Sequence, residues 1–145
     1  MRDLDLDVRV VACPIVREAD GLAMSSRNVY LDADARAQAT ALNRALDAAD
    51  AAHRSGERDG DSILSSAHAV LSAAGIDAEY LELRDAETLR PVAVVDRDAL
   101  LLVAARVGAA RLIDNHLLTL TSTSSTTSTA STTETSTTTD GKGDA

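Results

Sequence analysis

The residues best suited to chemistry in this chain lie in the run GLAMSSRN, Gly21 to Asn28. Gly21 frees the backbone, Ser25 and Ser26 place two hydroxyls beside two backbone N–H groups, and Arg27 adds a permanent cation with a planar fork of donors. Small, donor-rich residues ending in an arginine suit the oxygens of a phosphate. The same eight residues also read as a surface turn leading into a helix, and alone they do not separate the two readings. Other polar groups offer less. Arg17, Glu18 and Asp20 flank the run and read as a solvated turn, while Asp114 and Asn115 read as part of a strand's turn or a hydrogen-bond network. His53, His68 and His116 lack metal-ligand spacing and read as surface or capping residues, so no metal site is predicted. The single Cys13 excludes an internal disulfide and a cysteine cluster for zinc, and reads as a small buried hydrophobe.

Charge and composition narrow the partners. The 145 residues carry a net charge of -9, from 23 acidic against 14 basic side chains, and Lys142 is the sole lysine. Arginine is therefore the cation in every candidate site. An acidic chain without a basic stripe repels a phosphate backbone, so nucleic acid is not a predicted partner, although one focused arginine can still hold a small anion. No stretch approaches the roughly 18 apolar residues of a membrane span, and MRDLDLDVRV has no apolar signal core, which predicts a cytoplasmic protein without membrane contact. With no Phe or Trp, the core must be built from Leu, Val, Ile and much Ala, which buries little area per residue.

The elements that must position the run follow from periodicity. Val8 to Ala12 is a short β-branched run resumed at Ile15-Val16, and reads as a strand. Asp32 is a good N-cap, and Ala35, Ala39, Leu42, Leu46 and Ala49 fall on one face of a helix predicted over 33–54. A second helix is predicted over 62–74, capped by Asp61, with Ile63, Ala67, Val70, Leu71 and Ala74 on one face and Gly75 terminating it. Ile76 to Arg84 reads as a strand with a bulge between Tyr80 and Leu81, Ala99 to Val107 as a central strand, and Gly108 as the turn into Arg111 to Leu118. The sum is α+β: two helices packed as a pair, then a small, three-stranded, mainly antiparallel sheet. After Leu120 apolar residues nearly vanish, and residues 121–145 read as a disordered Ser/Thr-rich tail, because such a tract cannot offset its ordering entropy by burial.

A wider pattern, PIVREADGLAMSSRNVYL from Pro14 to Leu31, resembles the signature of pantothenate synthetases, the AMP-forming pantoate-beta-alanine ligases. EYLELRDAETL at Glu79 to Leu89, LLLVAARVGAARLIDN at Leu100 to Asn115 and the helix after Tyr30-Leu31 match the same family's C-terminal half, in order and spacing. The resemblance covers essentially residues 1–120. It implies an ATP-dependent ligase of pantothenate (coenzyme A) biosynthesis, in which pantoate is activated as pantoyl adenylate with Mg-ATP as substrate and the amine of beta-alanine then displaces AMP. It places Met24, Ser25, Ser26 and Arg27 on ATP, with Arg27, Ser25 and Ser26 at the reacting phosphates, Met24 packing, and Val16 giving a backbone contact near the adenine. The loop itself is similar to the mobile Lys-Met-Ser-Lys-Ser loop of class I aminoacyl-tRNA synthetases.

The family's other half, with its His-x-Gly-His segment and pantoate-binding groups, is not found in these residues. The resemblance therefore divides the chain into residues 1–20 as a remnant of a Rossmann-like nucleotide-binding domain, 21–31 as the phosphate loop, 32–120 as the C-terminal α+β domain, and 121–145 as the tail. Met1 to Leu6 would end a helix, and residues 8–12 would be an orphan strand, so residues 1–13 are expected to be frayed, re-paired or associated with another chain. The expected function is the ligase reaction in concert with the N-terminal half, within a homodimer as in the family, the chain alone being inactive and binding ATP weakly at best. The alternative is a stand-alone interaction or phosphate-binding module that has lost catalysis.

Overall fold

The computed structural model describes residues 7–9 and 11–120. The expectations for Met1 to Leu6 and for the Ser/Thr tract fall outside the described residues. A short 3-10 helix, Ser26–Tyr30, leads into α1 (Ala33–Ala39), α2 (Ala41–Arg54) and α3 (Gly60–Ala73), followed by β1 (Ala78–Asp85), β2 (Ala99–Val107) and β3 (Ala110–Leu118). The strands form one sheet in the order β1-β2-β3, antiparallel throughout. The α+β architecture of paired helices on a three-stranded sheet is the one expected.

The helices form where the apolar stripe and the caps coincide. Asp32 accepts a hydrogen bond from the Ala35 N–H at 2.8 Å and opens α1. Ala35, Ala39, Leu42, Leu46 and Ala49 are all buried, yet the predicted single helix is broken at Thr40, whose hydroxyl donates to the Ala37 carbonyl at 2.8 Å. Such a back-bonding hydroxyl competes with the helical ladder. The burial stripe runs unbroken across the break, which is why periodicity did not reveal it. α3 begins two residues earlier than predicted, because Asp59 and not Asp61 is the cap, accepting from the Ser62 N–H at 2.8 Å. Gly75 ends α3 as expected: at φ 67° it lets its own N–H reach the Ser72 carbonyl and the Ile76 N–H reach the Leu71 carbonyl.

One sheet face carries the core. Leu83, Leu101, Val103, Leu112 and Leu118 are buried beneath α2 and α3, whereas Ile113 and Leu117 on the opposite face are exposed. Gly108, at φ 54°, closes the two-residue turn between β2 and β3. The β1 bulge falls between Ala78 and Tyr80, immediately before the predicted place, since Ala78 pairs with Ala105 and Tyr80 already pairs with Ala104. Among the described residues of the predicted 8–12 strand there is no strand at all: Val8 and Val11 are exposed and nothing pairs with them. Cys13 follows the same segment and is exposed, not buried, because no neighbouring strand covers it.

Candidate functional site

The loop that carries Met24 to Arg27 is an irregular hairpin. Gly21 turns it at φ 88°, donating to the Glu18 carbonyl, while the Glu18 N–H reaches the Leu22 carbonyl at 2.8 Å and the Met24 N–H reaches the Val16 carbonyl at 2.9 Å. Leu22 anchors it in the core at 3% exposure. Ser25 then caps the 3-10 helix, its hydroxyl accepting from the Arg27 N–H at 3.2 Å. One of the two hydroxyls expected to serve a phosphate is thus engaged within the loop, by the Arg27 N–H. Ser26 and Arg27 are exposed, and among the described residues the Arg27 guanidinium has no ion-pair partner. Met24 is 63% exposed. Val16 is exposed as well, so it does not close a packed strand, and its carbonyl is taken by Met24.

Between this loop and β3 lies a cleft of about 220 Å³, lined by Met24, Ser25, Arg27 and Asn28 on one side and by Arg111 and Asp114 on the other. Asn28 is buried in its wall. Its Nδ2 donates to Glu18 Oε1 at 2.6 Å and to the Ala23 carbonyl at 3.0 Å, which fixes the orientation of the amide, and its buried Oδ1 has no partner. Arg111 is tied by Nε to Glu79 at 2.6 Å. Among the described residues no group of three or more His, Cys, Asp or Glu side chains could hold a metal ion. No described helix is long and apolar enough to cross a membrane.

The family model of pantoate-beta-alanine ligases matches residues 1–117. The chain belongs to the pantoate-beta-alanine ligase family. It is 54% identical to the pantothenate synthetase of Acidobacterium capsulatum over 119 residues, covering 81% of this chain and 40% of that protein. The pantothenate synthetase of Thermotoga petrophila is 49% identical, with 81% and 42% covered. The crystal structure of pantothenate synthetase from Thermus thermophilus superposes with a TM-score of 0.74 at 41% identity, over 79% of this chain and 42% of that one. The chain therefore spans about two fifths of the length of the pantoate-beta-alanine ligase relatives it matches.

Around the loop of this ligase-family chain, the charged trio read as a solvated turn is in fact a network. Arg17 grips Asp114 with both nitrogens, at 2.6 and 3.1 Å, and Arg36 bridges Glu18 and Asp20. A solvated turn was expected because the partners lie far away in sequence. One signal was available: alternation along β3 puts Asp114 on the face of Leu112 and Leu118, and a buried carboxylate needs a partner. His53 also departs from the surface or capping role, being 2% exposed with Nε2 3.3 Å from the Thr119 carbonyl and Nδ1 3.3 Å from Arg58. Thr119, just after β3, thus meets the end of α2. His68 is exposed as expected, and His116 lies half-buried with Nε2 3.5 Å from Asp50.

The network makes the loop acid-sensitive. The Asn28 amide, and then Arg36, hold Glu18 below the usual carboxylate range; the Leu22 N–H, and then Arg36, do the same for Asp20. Both folded values lie below the unfolded ones, so this stabilisation is fully present above about pH 4.5 and is lost as pH falls through the folded values. Acidification from about pH 6 to about pH 3 is expected to release the loop before the sheet. Amide exchange of Gly21, Met24 and Asn28 measured against β2 checks this. Simultaneous release of both regions would contradict it.

Proposed function

We propose that this chain contributes the phosphate-contacting loop to ATP-dependent condensation of pantoate with beta-alanine. In the first step a pantoate carboxylate oxygen attacks the α-phosphorus of ATP, forming pantoyl adenylate as the bond to pyrophosphate breaks. In the second the amine of beta-alanine attacks the acyl carbon and AMP leaves. The chemistry needs no covalent enzyme intermediate, so catalysis lies in positioning and in neutralising the charge that builds on the leaving phosphates. Magnesium travels with the nucleotide as part of the substrate.

One observation carries the reading. Arg111 across the cleft is paired with Glu79, and the neighbouring Arg17 and Arg36 are both paired with carboxylates, whereas Arg27 has no carboxylate partner among the described residues. An exposed, unpaired guanidinium next to the Ser26 hydroxyl is available to an anion. Arg27 draws charge from the departing pyrophosphate, Ser26 and the local N–H groups take phosphate oxygens, and Met24 packs against the nucleotide. Ser25 acts chiefly by holding the turn. Val16 offers only backbone atoms near the adenine. The same reading places the protein in the cytoplasm and in a homodimer.

Because the match spans only about two fifths of the relatives' length, the residues described here are assigned a share of the site and not the whole reaction. AMP release with pantoate, beta-alanine, Mg-ATP and this chain alone is expected to stay at the level of an Arg27→Ala control. With the remainder of a relative supplied in trans, turnover is expected to appear and to fall by about 100-fold or more in Arg27→Ala. Restored turnover that ignores the substitution would remove Arg27 from the phosphate site.

A further inference from the structure

The loop is held from two directions, by a side chain of β3 and a side chain of α1. From β3, the Asp114 carboxylate receives both terminal nitrogens of Arg17, and Nη1 of the same guanidinium also donates to the Gly21 carbonyl at 3.1 Å. From α1, Arg36 reaches Asp20 through Nε at 2.9 Å and spans to Glu18, whose other oxygen takes the Asn28 amide. The Asp114 side chain is 2% exposed and its Arg17 partner 24%.

These contacts fix the loop's shape step by step. Gripping Arg17 places the Gly21 carbonyl, and with it the turn from Glu18 to Leu22. That turn sets the Met24 N–H on Val16, and the chain then enters the 3-10 helix at Ser25 with Ser26 and Arg27 facing outward. A bidentate arginine-carboxylate pair fixes orientation as well as distance. Donors aimed before the ligand arrives need no reorganisation when it does.

We infer that Asp114, near the middle of β3, is a positioning residue for the Gly21–Asn28 loop, acting through Arg17, and that the loop is pre-set rather than ordered by the nucleotide. The inference rests on the phosphate-loop reading above, and it separates this loop from a mobile one. It is not a statement about general stability, because Arg17 joins the loop to a single residue of β3 while the apolar core is made by α2, α3 and the sheet.

The test uses the full chain with inorganic pyrophosphate as the probe and three readouts: amide exchange, pyrophosphate-induced shifts of the loop amides, and the thermal midpoint. Asp114→Asn, which keeps the shape and removes the charge, is expected to speed exchange of the Gly21, Met24 and Asn28 amides by about tenfold or more and to weaken pyrophosphate binding several-fold, with the β1–β2 amides and the midpoint nearly unchanged. Arg17→Lys keeps the charge but loses the fork, and is expected to give a smaller effect in the same direction. Loop exchange equal to that of the parent in both variants would overturn the inference. So would a loss of protection spread through the sheet with a falling midpoint, since that marks Asp114 as ordinary structural support. If exchange responds but pyrophosphate leaves the parent's loop amides unmoved, Asp114 still positions the loop and it is the phosphate reading that fails.

Discussion

Shortening Leu46 to alanine is expected to cost about 2–5 kcal/mol of folding free energy, read as a lowered urea midpoint at unchanged slope. Leu46 is fully buried on α2, the helix that packs against both α3 and β3. Three of the other buried positions on the same helix, Ala41, Ala45 and Ala49, are alanines, beside Leu42, Asp50 and His53. Alanines let the helices approach closely but contribute almost no volume, so Leu42 and Leu46 fill most of the space on this face. Short, rigid neighbours cannot move into the cavity that the substitution leaves, which puts the site toward the costly end of such changes. Leu117→Ala, at a position 47% exposed on the far sheet face, is the matched control and should stay within about 0.5 kcal/mol. A Leu46→Ala effect as small as the control's would mean that the helix pair is not the centre of the core.

Gly60→Ala is expected to destabilise by about 1–3 kcal/mol although alanine is the better helix former. A Cβ at this position would stand 2.9 Å from the Ala93 carbonyl oxygen and 3.0 Å from that of Val92, both backbone atoms that cannot swing aside. The Gly60 N–H donates to the same Ala93 oxygen at 2.7 Å, and the Val95 N–H donates to Arg58 at 2.8 Å, so the segment before β2 is laced to the start of α3. Displacing it would disturb Val95, which is fully buried. Calorimetric melting of the variant measures the cost, and an unchanged or raised midpoint would show that the close approach is not maintained in solution. Gly56 supplies the contrast. It has open space around it but a φ of 107°, so there the backbone and not a neighbour excludes a side chain.

What could be read from the sequence follows from how far each signal reaches along the chain. Helical periodicity is local and located the faces of α2 and α3, and the local apolar runs and glycines located β2, β3 and the end of α3 at Gly75, but not that one face of the sheet is left open. The role of Gly60 could not be read locally, because the contact that requires a glycine comes from residues 92 and 93, which no local pattern mentions. Asp61 was read as the cap, and the lacing of Gly60 to Ala93 accompanies the earlier start at Asp59. The Thr40 break was invisible because the apolar stripe passes through it. At the site, the motif located the exposed Ser26 and Arg27, but its brace spans 97 residues from Arg17 to Asp114 and could be matched only once the topology was known. Cys13 and the 8–12 run misled for one reason: an apolar β-branched segment implies a strand only where another strand is there to pair with it.

The strand order has a consequence for how the chain reaches this state. Each strand lies beside its neighbour in sequence, β2 and β3 are joined by two residues, and α2 is followed directly by its packing partner α3. The β1–β2, β2–β3 and α2–α3 surfaces can therefore form without closing a long loop, which lowers the entropic cost of assembling them. The clasp between Arg17 and Asp114, 97 residues apart, is the longest closure among the described side-chain hydrogen bonds. Its loop-closure entropy is recovered only after the helices and sheet already stand, so the segment that would meet the nucleotide is the part of the molecule whose folding waits for all the rest.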